Sequence, residues 1–166
     1  YPNQELVFVD DGSTEILEPF IKENLKSFEG DWKIIRMQYN SGPGVARKAG
    51  MRNCNGKYIQ FIDSDDEPSP DKISSQVNVL EKNNELIMTY GTTIIGEEST
   101  DMRILGKTNQ SKKKIAPLFP YQVYWTTSSI LWRKAYISDE SWYPLYGSED
   151  TLFEFLNGQL NYPIVH

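Results

Sequence analysis

Short apolar runs alternate with polar, glycine- and proline-bearing turns through the first half of this chain. Glu5-Leu6-Val7-Phe8-Val9 ends at Asp10-Asp11-Gly12-Ser13-Thr14 and predicts a buried parallel strand followed by a tight turn. Gly12 admits an unusual backbone angle, and Ser13 or Thr14 is suited to cap the next helix. Ile16, Leu17, Phe20, Ile21 and Leu25 recur at helical spacing, with Pro19 delaying the regular helix until about Glu18. Trp32 to Met37 predicts a second strand, and Asn40 to Gly44 a turn. Val45, Ala46, Ala49 and Met51 then mark a short helix with Pro43 near its start, ended by Asn53, Asn55 and Gly56. Lys57 to Ile62 predicts a third strand. This alternation makes parallel pairing with helical crossovers the economical topology.

The third strand runs directly into Asp63-Ser64-Asp65-Asp66 and is stopped by Glu67-Pro68-Ser69-Pro70. Ser69-Pro70 reads as the start of a helix whose buried face is Ile73, Val77 and Leu80, ending near Asn83-Asn84. Glu85 to Gly91 predicts another strand, extended through Thr92 to Ile95. From Gly96 to about Pro120 the chain is polar and aperiodic and contains Lys112-Lys113-Lys114, as in a long solvated excursion or a lid. Tyr124 to Trp132 predicts a strand, and Arg133 to Asp139 a short helix or turn. An aromatic loop, Ser141 to Gly147, leads into Ser148-Glu149-Asp150. A helix over Thr151 to Asn157 buries Leu152, Phe153, Phe155 and Leu156, and Tyr162 to Val165 resembles a final strand.

Composition narrows this only modestly. With 166 residues, 39% hydrophobic and 24% charged, the chain suits one domain with a sizeable core. Cys54, the sole cysteine, permits no internal disulfide and fits a reducing compartment. The net charge of -6 disfavours binding to a nucleic-acid backbone. No apolar run is long enough to span a bilayer, and no signal peptide opens the chain. Starting at Tyr1-Pro2 without an initiator Met, it reads as a fragment or a processed chain.

Three acidic sites recur where apolar elements end: Asp10-Asp11, Asp63/Asp65/Asp66 and Glu149-Asp150. The first two terminate strands expected to share a parallel sheet, so both are expected to face one crevice at its carboxyl edge. Crowded carboxylates repel unless protonated or bridged by a cation, and hard oxygen ligands suit Mg²⁺, Mn²⁺ or Ca²⁺. Taken alone, each site also reads as a helix cap or a solvated turn. His166 reads as a surface or strand-end residue more readily than as a metal ligand.

Four motifs occur in order: Val9-Asp10-Asp11-Gly12-Ser13-Thr14, Asn40-x-Gly42-x-x-x-Ala46-Arg47, Phe61-Ile62-Asp63-Ser64-Asp65-Asp66, and Gly147-Ser148-Glu149-Asp150. Together they resemble the inverting family 2 glycosyltransferases of the GT-A fold, over about Glu5 to Phe155. The resemblance implies an α/β fold with a mostly parallel central sheet and helices on both faces, with a Rossmann-like nucleotide-sugar-binding half over about 1–95 and an acceptor and catalytic-base half over about 96–166. It also implies a first strand before Tyr1 and acceptor determinants beyond His166, so that the chain is truncated at both ends. Lys48 stands where the family usually has Asn.

The implied roles are these. Asp10 and Asp11 contact the nucleotide base, and Arg47 lines the nucleotide pocket. Asp63 and Asp65 lie on the ribose side, and Asp65 and Asp66 hold Mn²⁺ or Mg²⁺. Asp150 is the catalytic base with Glu149 as alternate or helper. Trp142 and Tyr143 are acceptor-stacking candidates, although aromatics at strand spacing are more often core. The expected donor is a nucleotide-diphosphate sugar, with UDP as the base carrier. The expected acceptor is a glycan or lipid-linked hydroxyl. The expected setting is polysaccharide or cell-surface glycan synthesis in the cytoplasm or at the inner membrane face. Two rival readings remain at this point: a sugar nucleotidyltransferase, and a non-catalytic sugar-binding module of the same fold.

Overall fold

The computed structural model describes residues 1–95, 103–105, 125–145, 147–158 and 164–165. Along the chain the elements are β1 (Glu5–Asp10), α1 (Glu18–Asn24), β2 (Asp31–Arg36), α2 (Pro43–Asn53), β3 (Tyr58–Ile59), α3 (Lys72–Lys82), β4 (Met88–Tyr90), β5 (Thr93–Ile95), β6 (Arg103–Leu105), β7 (Ile130–Arg133), α4 (Glu149–Gly158) and β8 (Ile164–Val165). They form two compact units. One runs over 1–56 and 138–153, and the other takes in the described residues of 57–137 and 154–166. The expected excursion from Gly96 to Pro120, along with Tyr124 and His166, lies outside the described residues, apart from the short β6.

In the first unit, β1 and β2 pair in parallel, from Glu5 opposite Asp31 to Asp10 opposite Arg36. The α1 crossover between them is as expected, and so is its start at Glu18. Its cap is not: the N-cap is Leu17 and gives no side-chain hydrogen bond. Ser13 is instead held in the preceding loop, where its N–H donates to Asp10 Oδ1 and its carbonyl accepts from Arg36. The apolar stripe of α1 is not buried, and Ile16 and Phe20 are exposed. Glu5 ties the base of the unit together. It pairs with Lys33 at 2.8 Å and accepts the Asn55 N–H at 2.7 Å, and these bonds, that of Asn55 first, hold its carboxyl below the ordinary range.

In the second unit the strand order is β3-β7-β4-β8, and β5 pairs with β6. β4 and β8 are parallel, whereas β7 runs antiparallel to both β3 and β4. Within this unit the strand before Asp63 is β3, at the edge of the ladder beside β7. It is also short. Gln60 leaves the ladder and its side-chain amide donates to the Ser128 carbonyl at 2.7 Å. The expected strand over Tyr124–Trp132 begins only at Ile130. Thr126 and Ser129 cap each other reciprocally and wind 127–129 into a 3-10 turn. Likewise α3 starts at Lys72 rather than at Pro70, because Ser69 bonds Asp71 and its carbonyl accepts from Lys72 to close a turn.

Val77, Leu80, Leu86 and Leu131 form the core between α3 and the sheet, with Tyr58, Ile73 and Val79 packed against it. Burying a side chain of this kind stabilises by about 1.5–3 kcal/mol. Two buried polar groups knit the layers. Gln76 donates to the carbonyls of Thr89 and Ser129, and Arg133 donates to the carbonyls of Leu86, Leu80 and Asn83. Arg133 thereby caps the carboxyl end of α3, where a cation is also favoured by the helix dipole.

Candidate active site

The turn after β1 is built by its own aspartates. Asp10 is buried and accepts the Ser13 N–H at 2.9 Å, with Arg36 Nε at 3.7 Å. These contacts, the Ser13 bond first, hold its carboxyl below the ordinary range. Arg36 also donates to the carbonyls of Ser13 at 2.8 Å and Glu15 at 3.3 Å. Arg36 carries no motif of its own in the sequence; it is the parallel register opposite Asp10 that brings it to this turn.

Asp11 works differently. Its Oδ1 accepts the Ser41 N–H and its Oδ2 the Gly42 N–H, each at 2.8 Å. Both amides precede α2, whose N-cap is Gly42 at φ 91°. Gly12, at φ 78°, lies so close to this loop that a Cβ would sit 2.4 Å from the Tyr39 carbonyl carbon. Only glycine fits there, because left-handed φ and backbone contact both exclude a side chain. The first and second motifs are thus one interlocked structure.

α2 then reaches the segment that carries the third acidic site. Arg47 Nη1 donates to Glu149 Oε1 at 2.8 Å, with side-chain exposures of 13% and 8%. Lys48 pairs with Glu140 at 2.7 Å, and Arg52 pairs with both Asp139 and Glu140. Arg52, the largest influence, holds the Asp139 carboxyl low, and Lys48 does the same for Glu140. The Arg47 guanidinium lies 5.2 Å from the centre of the Trp142 ring, which stacks on Phe153 at 4.1 Å. Of the two acceptor-stacking candidates, Trp142 is buried, at 2% exposure, and Tyr143 is 48% exposed.

Gly147 at φ 88° and Ser148 at φ 60° swing the chain into α4. A left-handed serine is uncommon, and such conformations gather at functional sites. The Ser148 carbonyl accepts the Leu152 N–H at 3.0 Å, so α4 opens one residue later and its first turn carries Glu149 and Asp150. Asp150 is half-buried, and its Oδ1 accepts from the Thr151 N–H at 2.7 Å and the Thr151 hydroxyl at 3.3 Å. A carboxylate there is favoured by the helix dipole.

In the second unit, the Asp63 N–H donates to Ser128 Oγ at 3.1 Å, and the Asp66 N–H closes a turn on the Asp63 carbonyl at 3.0 Å. This places Asp65 and Asp66 on an exposed turn. Among the described residues no three metal-type side chains converge. Mg²⁺ and related cations are often held by one or two carboxylates, with substrate phosphates and water completing the shell. Asp65 and Asp66 carry the hard oxygen donors that such a cation takes.

Against known proteins, the glycosyl transferase family 2 model matches residues 1–138. The fold is that of the GT-A glycosyltransferases, and the chain belongs to glycosyl transferase family 2. It is 38% identical over 91 residues to an uncharacterized glycosyltransferase of Haemophilus influenzae, covering 55% of this chain and 36% of that protein. It is 26% identical over 102 residues to Bacillus subtilis TuaG, covering 61% and 40% respectively; that protein is provisionally named as a teichuronic acid biosynthesis glycosyltransferase. The crystal structure of Staphylococcus aureus TarS 1-349 superposes with a TM-score of 0.69 at 20% identity, over 97% of this chain and 48% of that one. The same TarS fragment has also been solved in complex with UDP. The chain thus spans less than half the length of each of these proteins.

Proposed function

We propose that this chain carries the donor site and the catalytic base of an enzyme that transfers a sugar from a UDP-sugar to an acceptor hydroxyl, with inversion. Asp150, on the first turn of α4 behind a left-handed Gly147-Ser148 turn, is the observation that carries this reading. Its carboxylate accepts the acceptor's proton as the hydroxyl oxygen attacks the anomeric carbon. The new C–O bond forms as the bond to the diphosphate breaks, and UDP leaves with the electron pair. One such displacement inverts the centre. A divalent cation held by Asp65 and Asp66 would neutralise charge on the leaving diphosphate. Asp63 and Asp65 serve the ribose, and Asp11 contacts the base while holding its own loop. The similarity to TuaG, named for teichuronic acid biosynthesis, supports a setting in cell-surface polysaccharide synthesis, and the UDP complex of TarS supports the choice of nucleotide. Family membership argues against the nucleotidyltransferase alternative.

Calorimetry on the full-length protein tests this reading. UDP titrated in Mn²⁺ binds, the affinity collapses in EDTA, and Asp66→Asn weakens it by about tenfold or more, a loss of about 1.4 kcal/mol. Absence of UDP binding in Mn²⁺ contradicts the donor assignment. Unchanged affinity in Asp66→Asn removes that residue from the metal site.

A further inference from the structure

Arg47 is placed to do something other than bind nucleotide. Its guanidinium face covers the buried Trp142 ring, and one edge bonds the buried Glu149 carboxylate at 2.8 Å. One turn earlier on the same helix, a Cβ on Gly44 would lie 2.5 Å from the Tyr143 carbonyl oxygen and 3.3 Å from Glu149 Cγ. The start of α2, residues 142–143 and the first turn of α4 are therefore packed against one another without slack. An arginine turning from this position to a phosphate would strand Glu149 as a buried, uncompensated carboxylate, which is costly.

We propose that Arg47 and Glu149 are positioning residues: their ion pair fixes the first turn of α4 and with it the direction of Asp150. The proposal rests on the reading of Asp150 as base. The geometry supplies the linkage. Asp11 clamps the Ser41 and Gly42 amides that begin α2, α2 carries Arg47, Arg47 holds Glu149, and Glu149 adjoins Asp150. One rigid helix thus joins the loop assigned to the nucleotide base to the residue assigned to the acceptor proton. Glu149 acts through Asp150 and takes no proton itself.

The test compares Arg47→Met, Glu149→Gln and Asp150→Asn, with the doubles that combine each of the first two with the third, in the full-length protein. Turnover is read as UDP released from UDP-glucose or UDP-N-acetylglucosamine in Mn²⁺, UDP affinity by calorimetry, and the mobility of 147–152 by amide hydrogen exchange. Glu149→Gln keeps the side chain's shape and an acceptor for Arg47, so it keeps the proposal testable if Arg47→Met does not fold. The expected results are kcat lower by about 10- to 100-fold, as displacement of a reacting group by about 1 Å produces, and UDP affinity changed by less than about twofold. Exchange over 147–152 should be faster. The doubles should be no slower than Asp150→Asn alone, because residues acting as a unit are not additive. A tenfold or greater loss of UDP affinity in Arg47→Met, adding to the Asp150→Asn defect, overturns the proposal and returns Arg47 to the nucleotide. If Asp150→Asn itself turns over normally, the base reading fails. The anchoring is then judged by affinity and exchange alone, with unaltered exchange over 147–152 overturning it.

Discussion

Replacing Asp11 with alanine removes the acceptor of two backbone N–H bonds at once. The Gly42 amide belongs to a buried residue, and leaving such a donor unsatisfied costs about 1–3 kcal/mol. Ser41 is half-buried, so its amide regains water and loses about 0.5–1.5 kcal/mol. Together Asp11→Ala should destabilise the fold by about 2–4 kcal/mol, which for a chain of this length lowers Tm by roughly 4–16 °C. Asp11→Asn retains one acceptor oxygen but turns an NH₂ donor toward the second amide, so it should recover less than half of the loss. Thermal melts with and without UDP, paired with hydrogen exchange over 41–44, measure both effects. Exchange at Ser41 and Gly42 should quicken in both variants before any nucleotide is added. A Tm for Asp11→Ala within about 1 °C of wild type, with nucleotide affinity lost, would refute the clamp and leave Asp11 as a ligand contact alone.

Two further outcomes follow from cations of the second unit, the buried Arg133 and the half-buried Lys72. Arg133→Met should destabilise by about 2–4 kcal/mol in urea melts, because the carbonyls of Leu80, Leu86 and Asn83 lose their donor; a change below about 0.5 kcal/mol would contradict the capping role. Lys72 donates to Gln76 at 2.7 Å, and burial pushes its ammonium from 10.5 down to about 8. The unfolded chain keeps that proton to higher pH, so stability should rise between about pH 8 and 10.5 and be lowest, for this group, below pH 8. At 1.36 kcal/mol per pH unit the ceiling is about 3 kcal/mol, and solvent at the exposed part of the side chain reduces it to roughly 1–2 kcal/mol. Lys72→Met should abolish this rise in urea melts run across that range, and a rise persisting in the variant would place its origin elsewhere.

Local pattern carried much of this fold. The apolar runs at Glu5–Val9 and Trp32–Met37, the helix over 43–53 and the Val77/Leu80 face all emerged close to where periodicity put them. The misses share a physical cause: side chains competing with the backbone. Asp10, Ser69 and Thr126 each spend side-chain hydrogen bonds on turns where propensity alone suggested a cap or a strand. Gln60 does the same to the strand before Asp63. Strand partnership was also beyond reach, since nothing local indicates that β3 pairs with β7 across so many residues.

The site was legible as motifs but not as contacts. Asp11, Arg47 and Glu149 were each visible, whereas Asp11's bond to the α2 amides and Arg47's to Glu149 join residues remote in sequence. Trp142 read as an acceptor-stacking candidate because it lies close in sequence to Asp150, whereas its ring is buried against Phe153 and Arg47. The Asp63–Asp66 turn was foreseen as acidic, and what holds it, Ser128, lies in a stretch read as plain strand.

Turnover of the Asp150→Asn variant tests the central claim most directly. The substitution keeps the side chain's size and the acceptor oxygen for Thr151, and removes the proton acceptor. UDP release from a UDP-sugar that the wild-type full-length protein consumes should fall by about 10²–10⁴-fold, with UDP affinity and Tm close to wild type. That loss corresponds to about 3–5 kcal/mol of barrier. A folded Asp150→Asn protein that releases UDP at the wild-type rate would contradict the account.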